Sequence, residues 1–244
     1  NSYVFRACFT DEFQGKALAG FARSELHAEK AVVLTNIDED YCITLSKYFI
    51  KNFTAGRGKV LKESTYRGAA VDFTDVLSTV KSLGPDVVFN PGYARDSGLI
   101  IQQATNNGIK TIFLGADAWD WDIKKYAGPG LEGAFHSTQW YSDAAFAENR
   151  VLKERYKKKY ESSAYEDMQI PLTHDSIMLV VTAIKRAGSF KPEALRTALM
   201  KTKDFKGATG SITFDRNGDP IGKEVVIMRF EKGRWIYHTS IRPD

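Results

Sequence analysis

The feature that most constrains this chain is a repeated unit of strand followed by helix in its first half. Ala31–Thr35, Lys59–Leu61, Asp86–Asn90 and Thr111–Leu114 are short apolar runs rich in β-branched residues. Helical patterns separate them. The first helix is read from Asp11 and Gln14, spaced like a capping box, followed by Phe13, Ala17, Leu18, Phe21 and Leu26. Tyr41–Phe53 carries Leu45, Tyr48, Phe49 and Phe53 and stops at Gly56. Asp72 with Asp75 opens a third helix through Val76, Leu77, Val80 and Leu83, and Ser97–Asn107 forms a fourth ended by Gly108. Strands alternating with helices at this spacing predict an α/β fold with a parallel sheet covered on both faces.

The second half has a different pattern. Ala144–Glu161 reads as a long basic helix, Pro171–Ala187 as a more apolar one, and Pro192 opens a third that ends near Lys203. Ser211–Phe214, Glu224–Phe230 and Trp235–Thr239 read as strands of hairpins, with a turn at Asp215–Asp219. The three helices have apolar faces but little sheet nearby to cover them, and apolar stripes of that size are rarely left exposed.

Composition removes several classes of function. The chain has 244 residues and a net charge of +4, so its slight basic excess does not single out a nucleic-acid or membrane binder. No run approaches the roughly 18 apolar residues of a membrane helix. Two cysteines, Cys8 and Cys42, are too few for a disulfide scaffold or a cysteine zinc site, although a bond between them would suit an oxidising compartment. His27, His136, His174 and His238 lack metal-ligand spacing, and no nucleophile–base pair or phosphate loop emerges. Asp215-Arg-Asn-Gly218 is similar to a calcium loop, but its glycine comes early and Val226 stands where the terminal glutamate belongs. Lys153, Arg155, Lys157, Lys158 and Lys159 read as a solvated helical face.

In an open parallel sheet, ligands bind beyond the carboxyl ends of the strands. Three loops lie there: Thr35–Tyr41, Asn90–Asp96 and Gly115–Asp122. Each sets aromatic rings beside carboxylates, a pairing suited to a small ligand with a cationic group and an apolar body. Taken singly, the acidic residues read as solvated or as helix caps; their placement on one rim favours a site.

The stretch Tyr3–Gly15, together with Asp40-Tyr41, Pro91-Gly-Tyr93, Phe113–Asp120 and Thr209–Asp215, resembles the periplasmic branched-chain amino-acid-binding proteins of ABC transporters, in order and spacing along essentially the whole chain. The resemblance implies the two-lobe type I periplasmic-binding-protein fold, with parallel sheets flanked by helices and a ligand enclosed between lobes joined by three crossovers. Residues 6–138 and 223–244 would form the second lobe; 1–5 and 139–222 would form the C-terminal part of the first. Closure would pivot near Cys8, Thr138 and Gly222. Tyr41 and Tyr93 match aromatic ligand contacts, Asp117 matches the acid that holds the ligand's α-ammonium, and Trp119 would line the same wall. His174 departs from the family pattern at Thr173-His174-Asp175 and puts the side-chain pocket in question.

Family members carry roughly another hundred residues before the Tyr3 strand, about one further domain. That segment would complete the first lobe, one lobe being incomplete here, and bind the ligand's carboxylate. The implied function is extracellular or periplasmic capture of a small aliphatic amino acid for a membrane permease, with no cofactor, metal, nucleic acid or catalysis. A sensory or regulatory ligand-binding domain is the alternative.

Overall fold

The computed structural model describes residues 3–119, 122–160 and 167–242. The chain divides into two compact units. One comprises residues 11–138 and 226–239, the other residues 1–10, 139–225 and 240–244. Residues 6–10, 223–225 and 240–242 thus fall with the unit opposite to the one their sequence suggested.

The larger unit is built on five parallel strands: β1 (Lys30–Asn36), β2 (Lys59–Tyr66), β3 (Val87–Phe89), β4 (Ile112–Gly115) and β5 (Phe135–Thr138). They lie in the order β2-β1-β3-β4-β5. Next to β5, β9 (Val225–Glu231) runs antiparallel, with Thr138 opposite Val226, and β10 (Arg234–Ile241) closes that edge. The two-residue turn Lys232-Gly233 joins the last pair, with φ of 52° and 78°, the left-handed geometry that a tight hairpin requires.

Helices α1 (Asp11–Ser24), α2 (Asp40–Ala55), α3 (Thr74–Leu83), α4 (Ala94–Asn106) and the short α5 (Ile123–Ala127) cover the sheet. Six of the seven residues of β1 are buried, which explains its continuous apolar run. Val32, Leu34, Val88 and Phe113 form a core with Leu77 and Val80 of α3 and with Ile100, Ile101 and Ala104 of α4. Elsewhere Phe49 of α2 stacks on Phe89 at 4.1 Å and on Phe53 at 5.4 Å, while Phe21 of α1 meets Phe135 at 5.3 Å.

The smaller unit contains α6 (Ala147–Tyr160), α7 (Gln169–Ala187) and α8 (Pro192–Met200). Glu161, expected to end the basic helix, lies outside the described residues. Three short antiparallel strands accompany the helices: β6 (Phe205–Gly207), β7 (Gly210–Phe214) and β8 (Pro220–Ile221). Leu179, Ile212 and Phe214 form their core, joined by Phe5, Ala7, Leu199 and Phe205. The strand expected at Tyr3–Phe5 is not formed. The segment is held instead at the β7–β8 turn, where the Arg6 N–H donates to Gly218 O, the Arg6 guanidinium pairs with Asp219 at 2.6 Å and the Phe5 ring rests on Phe214. On α7, Ile177 is 58% exposed and Met178 and Val180 are exposed beside it.

Candidate functional site

In the order β2-β1-β3-β4-β5 the winding of the sheet reverses between β1 and β3, and open α/β sheets bind ligands beyond the carboxyl ends of the strands at such a reversal. Tyr41 stands in the first turn of α2, which follows β1 after a short loop. Tyr93 stands at the N-cap of α4, which follows β3. Asp117 lies in the loop leaving β4. The Tyr41 hydroxyl donates to Asp117 Oδ1 at 2.6 Å, and the Tyr41 and Tyr93 rings are 6.2 Å apart. Tyr93 is 46% exposed. Three residues that follow three separate strands therefore form one group.

Burial holds the Tyr41 phenol well above the usual tyrosine range, and the neighbouring Asp117 charge adds to that shift. It therefore stays protonated and donates. Burial also raises the Tyr93 phenol, with the surrounding carboxylates contributing. Two other acids of the rim are engaged elsewhere. Asp38 forms a salt bridge with Arg67 at 2.6 Å. Asp96 is buried beneath the rim, where it accepts hydrogen bonds from Tyr66 Oη at 2.7 Å and Asn36 Nδ2 at 3.4 Å, and its burial raises its pKa. Asp117 is the acid hydrogen-bonded to Tyr41, and after burial it is Glu39 together with Asp117 that raises the Tyr93 phenol.

The Asp96 network also shapes the loop that carries Tyr93. Asn90 Oδ1 accepts the Gly92 N–H at 3.2 Å and the Ser97 hydroxyl, while Asn90 Nδ2 reaches Tyr66 Oη. The Cys42 thiol, which burial pushes up to about 12, contacts Pro91 O at 3.5 Å. A Cβ on Gly92 would lie 2.1 Å from Tyr66 Oη, so only glycine lets the turn settle this closely.

Trp119 departs from its expected place. It is 1% exposed and packs in the core with Phe113, Ile123 and Leu131, not on an open wall. Gly115 explains this, because the bare end of β4 leaves a flat seat that the indole fills; a Cβ there would lie 2.1 Å from the ring. Asp120 and Trp121 of the same loop lie outside the described residues.

Gln14, read as a capping residue, is joined to Asp117. Its amide nitrogen donates to Asp117 Oδ1 at 2.8 Å and to Ser137 Oγ at 2.9 Å. The only sequence signal was a polar residue on the apolar face of α1.

In the smaller unit, His174 Nδ1 lies 3.3 Å from Asp175 Oδ1. The Asp175 carboxylate accepts the Ala208 and Thr209 N–H groups and the Thr209 hydroxyl, and Lys223 Nζ donates to Thr209. This closes the β6–β7 turn against α7. Asp215 likewise accepts the Asn217 and Asp219 N–H groups, a turn arrangement in place of a calcium loop. No disulfide joins Cys8 and Cys42. Among the described residues, no group of three or more His, Cys, Asp or Glu is placed to hold a metal, and no helix is long and apolar enough to cross a membrane.

The profile of one family, described as periplasmic binding protein, matches residues 1–234. A leucine-binding protein, LivK, from Thermotoga maritima is 36% identical and superposes with a TM-score of 0.92 over 98% of this chain and 68% of its own. The LivJ substrate-binding protein of a branched-chain amino-acid transporter from Streptococcus pneumoniae, solved with isoleucine, is 26% identical with a TM-score of 0.88, covering 98% of this chain and 67% of its own. Among curated proteins, Leu/Ile/Val-binding protein homolog 1 of Brucella suis is 28% identical over 70% of this chain and 46% of its own length. The chain therefore spans about half the length of such curated relatives. The family and these relatives are binding proteins, not enzymes.

Proposed function

Because this chain belongs to the periplasmic binding protein family, we propose that it is the ligand-capturing part of a solute-binding protein that takes a small aliphatic, branched-chain amino acid and delivers it to the membrane permease of an ABC transporter. Its workplace is the periplasm or the outer face of the cell membrane. The observation that carries the reading is the Tyr41–Asp117 hydrogen bond with Tyr93 beside it. Asp117 neutralises the ligand's α-ammonium by a charge-assisted hydrogen bond, and the two rings enclose its apolar part. Trp119 acts from beneath, holding the start of the Asp117 loop against the sheet.

A zwitterion needs a partner for each charge. The ligand's carboxylate is held by residues of the whole protein beyond this chain, whose relatives are longer. The exposed Ile177, Met178 and Val180 flank of α7 is covered by that same further segment, the remaining part of its own lobe. The names of the relatives, which bind leucine, isoleucine and valine, support the ligand class.

Titration calorimetry of the whole protein with a panel of amino acids tests the reading. Leucine, isoleucine or valine should bind, and aspartate and lysine should not. Absence of binding by every aliphatic amino acid would overturn it.

A further inference from the structure

We infer that Gln14 is the positioning residue of Asp117, so that the preference for a ligand cation is set from α1 as well as from the loop after β4. The inference rests on the proposed role of Asp117. Gln14 is 1% exposed and stands on α1, 103 positions from Asp117. Its amide nitrogen carries two N–H groups. One reaches Asp117 Oδ1 at 2.8 Å, and the other reaches Ser137 Oγ, buried on β5, at 2.9 Å. A flipped amide would set its carbonyl oxygen against the carboxylate, acceptor against acceptor, so the chemistry of Asp117 dictates the amide orientation.

Tyr41 Oη donates to the same Oδ1 at 2.6 Å. Two donors from two helices thus converge on one carboxylate oxygen and restrict its rotation. Both are neutral. Neither brings a positive charge against the carboxylate, as a lysine or arginine in the place of Gln14 would. The negative charge is presented to the ligand already oriented, so binding does not have to order it. Alanine at position 14 would free the carboxylate, and glutamate would set a second negative charge against it.

The test is titration calorimetry of the whole protein with L-leucine and with 4-methylpentanoate, the same carbon skeleton without the ammonium. Gln14→Ala should weaken leucine about tenfold, the scale of one hydrogen bond to a charged group, and leave the analogue within about twofold. Gln14→Glu should bind leucine poorly at neutral pH and recover as the pH falls and the added carboxyl takes a proton, a profile the wild type lacks. Thermal melting of both variants reports the fold. Equal weakening of both ligands by Gln14→Ala, with no acid recovery in Gln14→Glu, would make Gln14 a structural residue and overturn the inference. So would unchanged leucine binding in Gln14→Ala when Asp117→Ala abolishes it, an outcome that leaves the reading of the site intact. Unchanged binding in Asp117→Ala would remove that reading and this inference with it.

Discussion

Tyr41 donates its hydroxyl to Asp117 across 76 positions of sequence, at 2.6 Å, and thereby joins the loop after β1 to the loop after β4. Removing the carboxylate should therefore be felt at the phenol. In an alkaline titration followed by tyrosinate absorbance, Tyr41 should ionise above the ordinary tyrosine range, because burial and the Asp117 charge both oppose the phenolate. Asp117→Ala should bring it down part of the way, burial remaining. An unchanged titration would mean that the two groups are not coupled.

His136 gives the larger unit an acid limit. It is buried on β5 with its ring 4.2 Å from Trp235, and burial lowers its pKa to about 4. The unfolded chain takes up this proton near pH 6.5, whereas the folded chain resists until about pH 4. Stability is therefore lost as pH falls through that window, by about 3 kcal/mol in all. In urea denaturation at stepped pH, His136→Gln should flatten the acid limb between pH 6.5 and 4. An identical limb in the variant would assign the loss to other groups.

Gly92 and Tyr66 should show a coupled effect. A Cβ at position 92 would lie 2.1 Å from Tyr66 Oη and 2.9 Å from Ser97 Oγ, so Gly92→Ala should cost about 1–3 kcal/mol by overpacking. In a Tyr66→Phe background the hydroxyl is gone and the added cost should be smaller. A double-mutant cycle measures the difference. Strict additivity would mean that the turn relaxes without meeting Tyr66.

The sequence made the central sheet legible for a physical reason. Strands buried on both faces, such as Val32–Leu34 and Val87–Phe89, must be continuous apolar runs, and crossover helices must separate them. β6, with only Phe205-Lys206-Gly207, and the polar β5, His136-Ser137-Thr138, carry no such signal. The loops that carry Tyr41, Tyr93 and Asp117 were legible because they follow strand ends, whereas the choice of those three residues came from the family resemblance. Gln14 was not legible, because its partner lies 103 positions away and its spacing from Asp11 also fits a helix cap. The burial of Trp119 was not legible either, because the seat it fills is made by the missing side chain of Gly115.

In the smaller unit, Asp175 is fully buried and accepts Ala208 N–H at 2.7 Å and Thr209 N–H at 2.8 Å. Asp175→Ala should cost about 3–5 kcal/mol, because it orphans two backbone donors and leaves the buried Lys223 without its nearby charge. Guanidinium denaturation followed by circular dichroism measures this. A loss below about 1 kcal/mol would show that the turn is held by other contacts.

The most direct test of the account is the affinity of the whole protein for L-leucine, measured by calorimetry before and after Asp117→Ala. Loss of the partner to a buried ammonium should cost about 3–5 kcal/mol, a weakening of a hundredfold or more. Wild-type affinity in Asp117→Ala would contradict the assignment of the site.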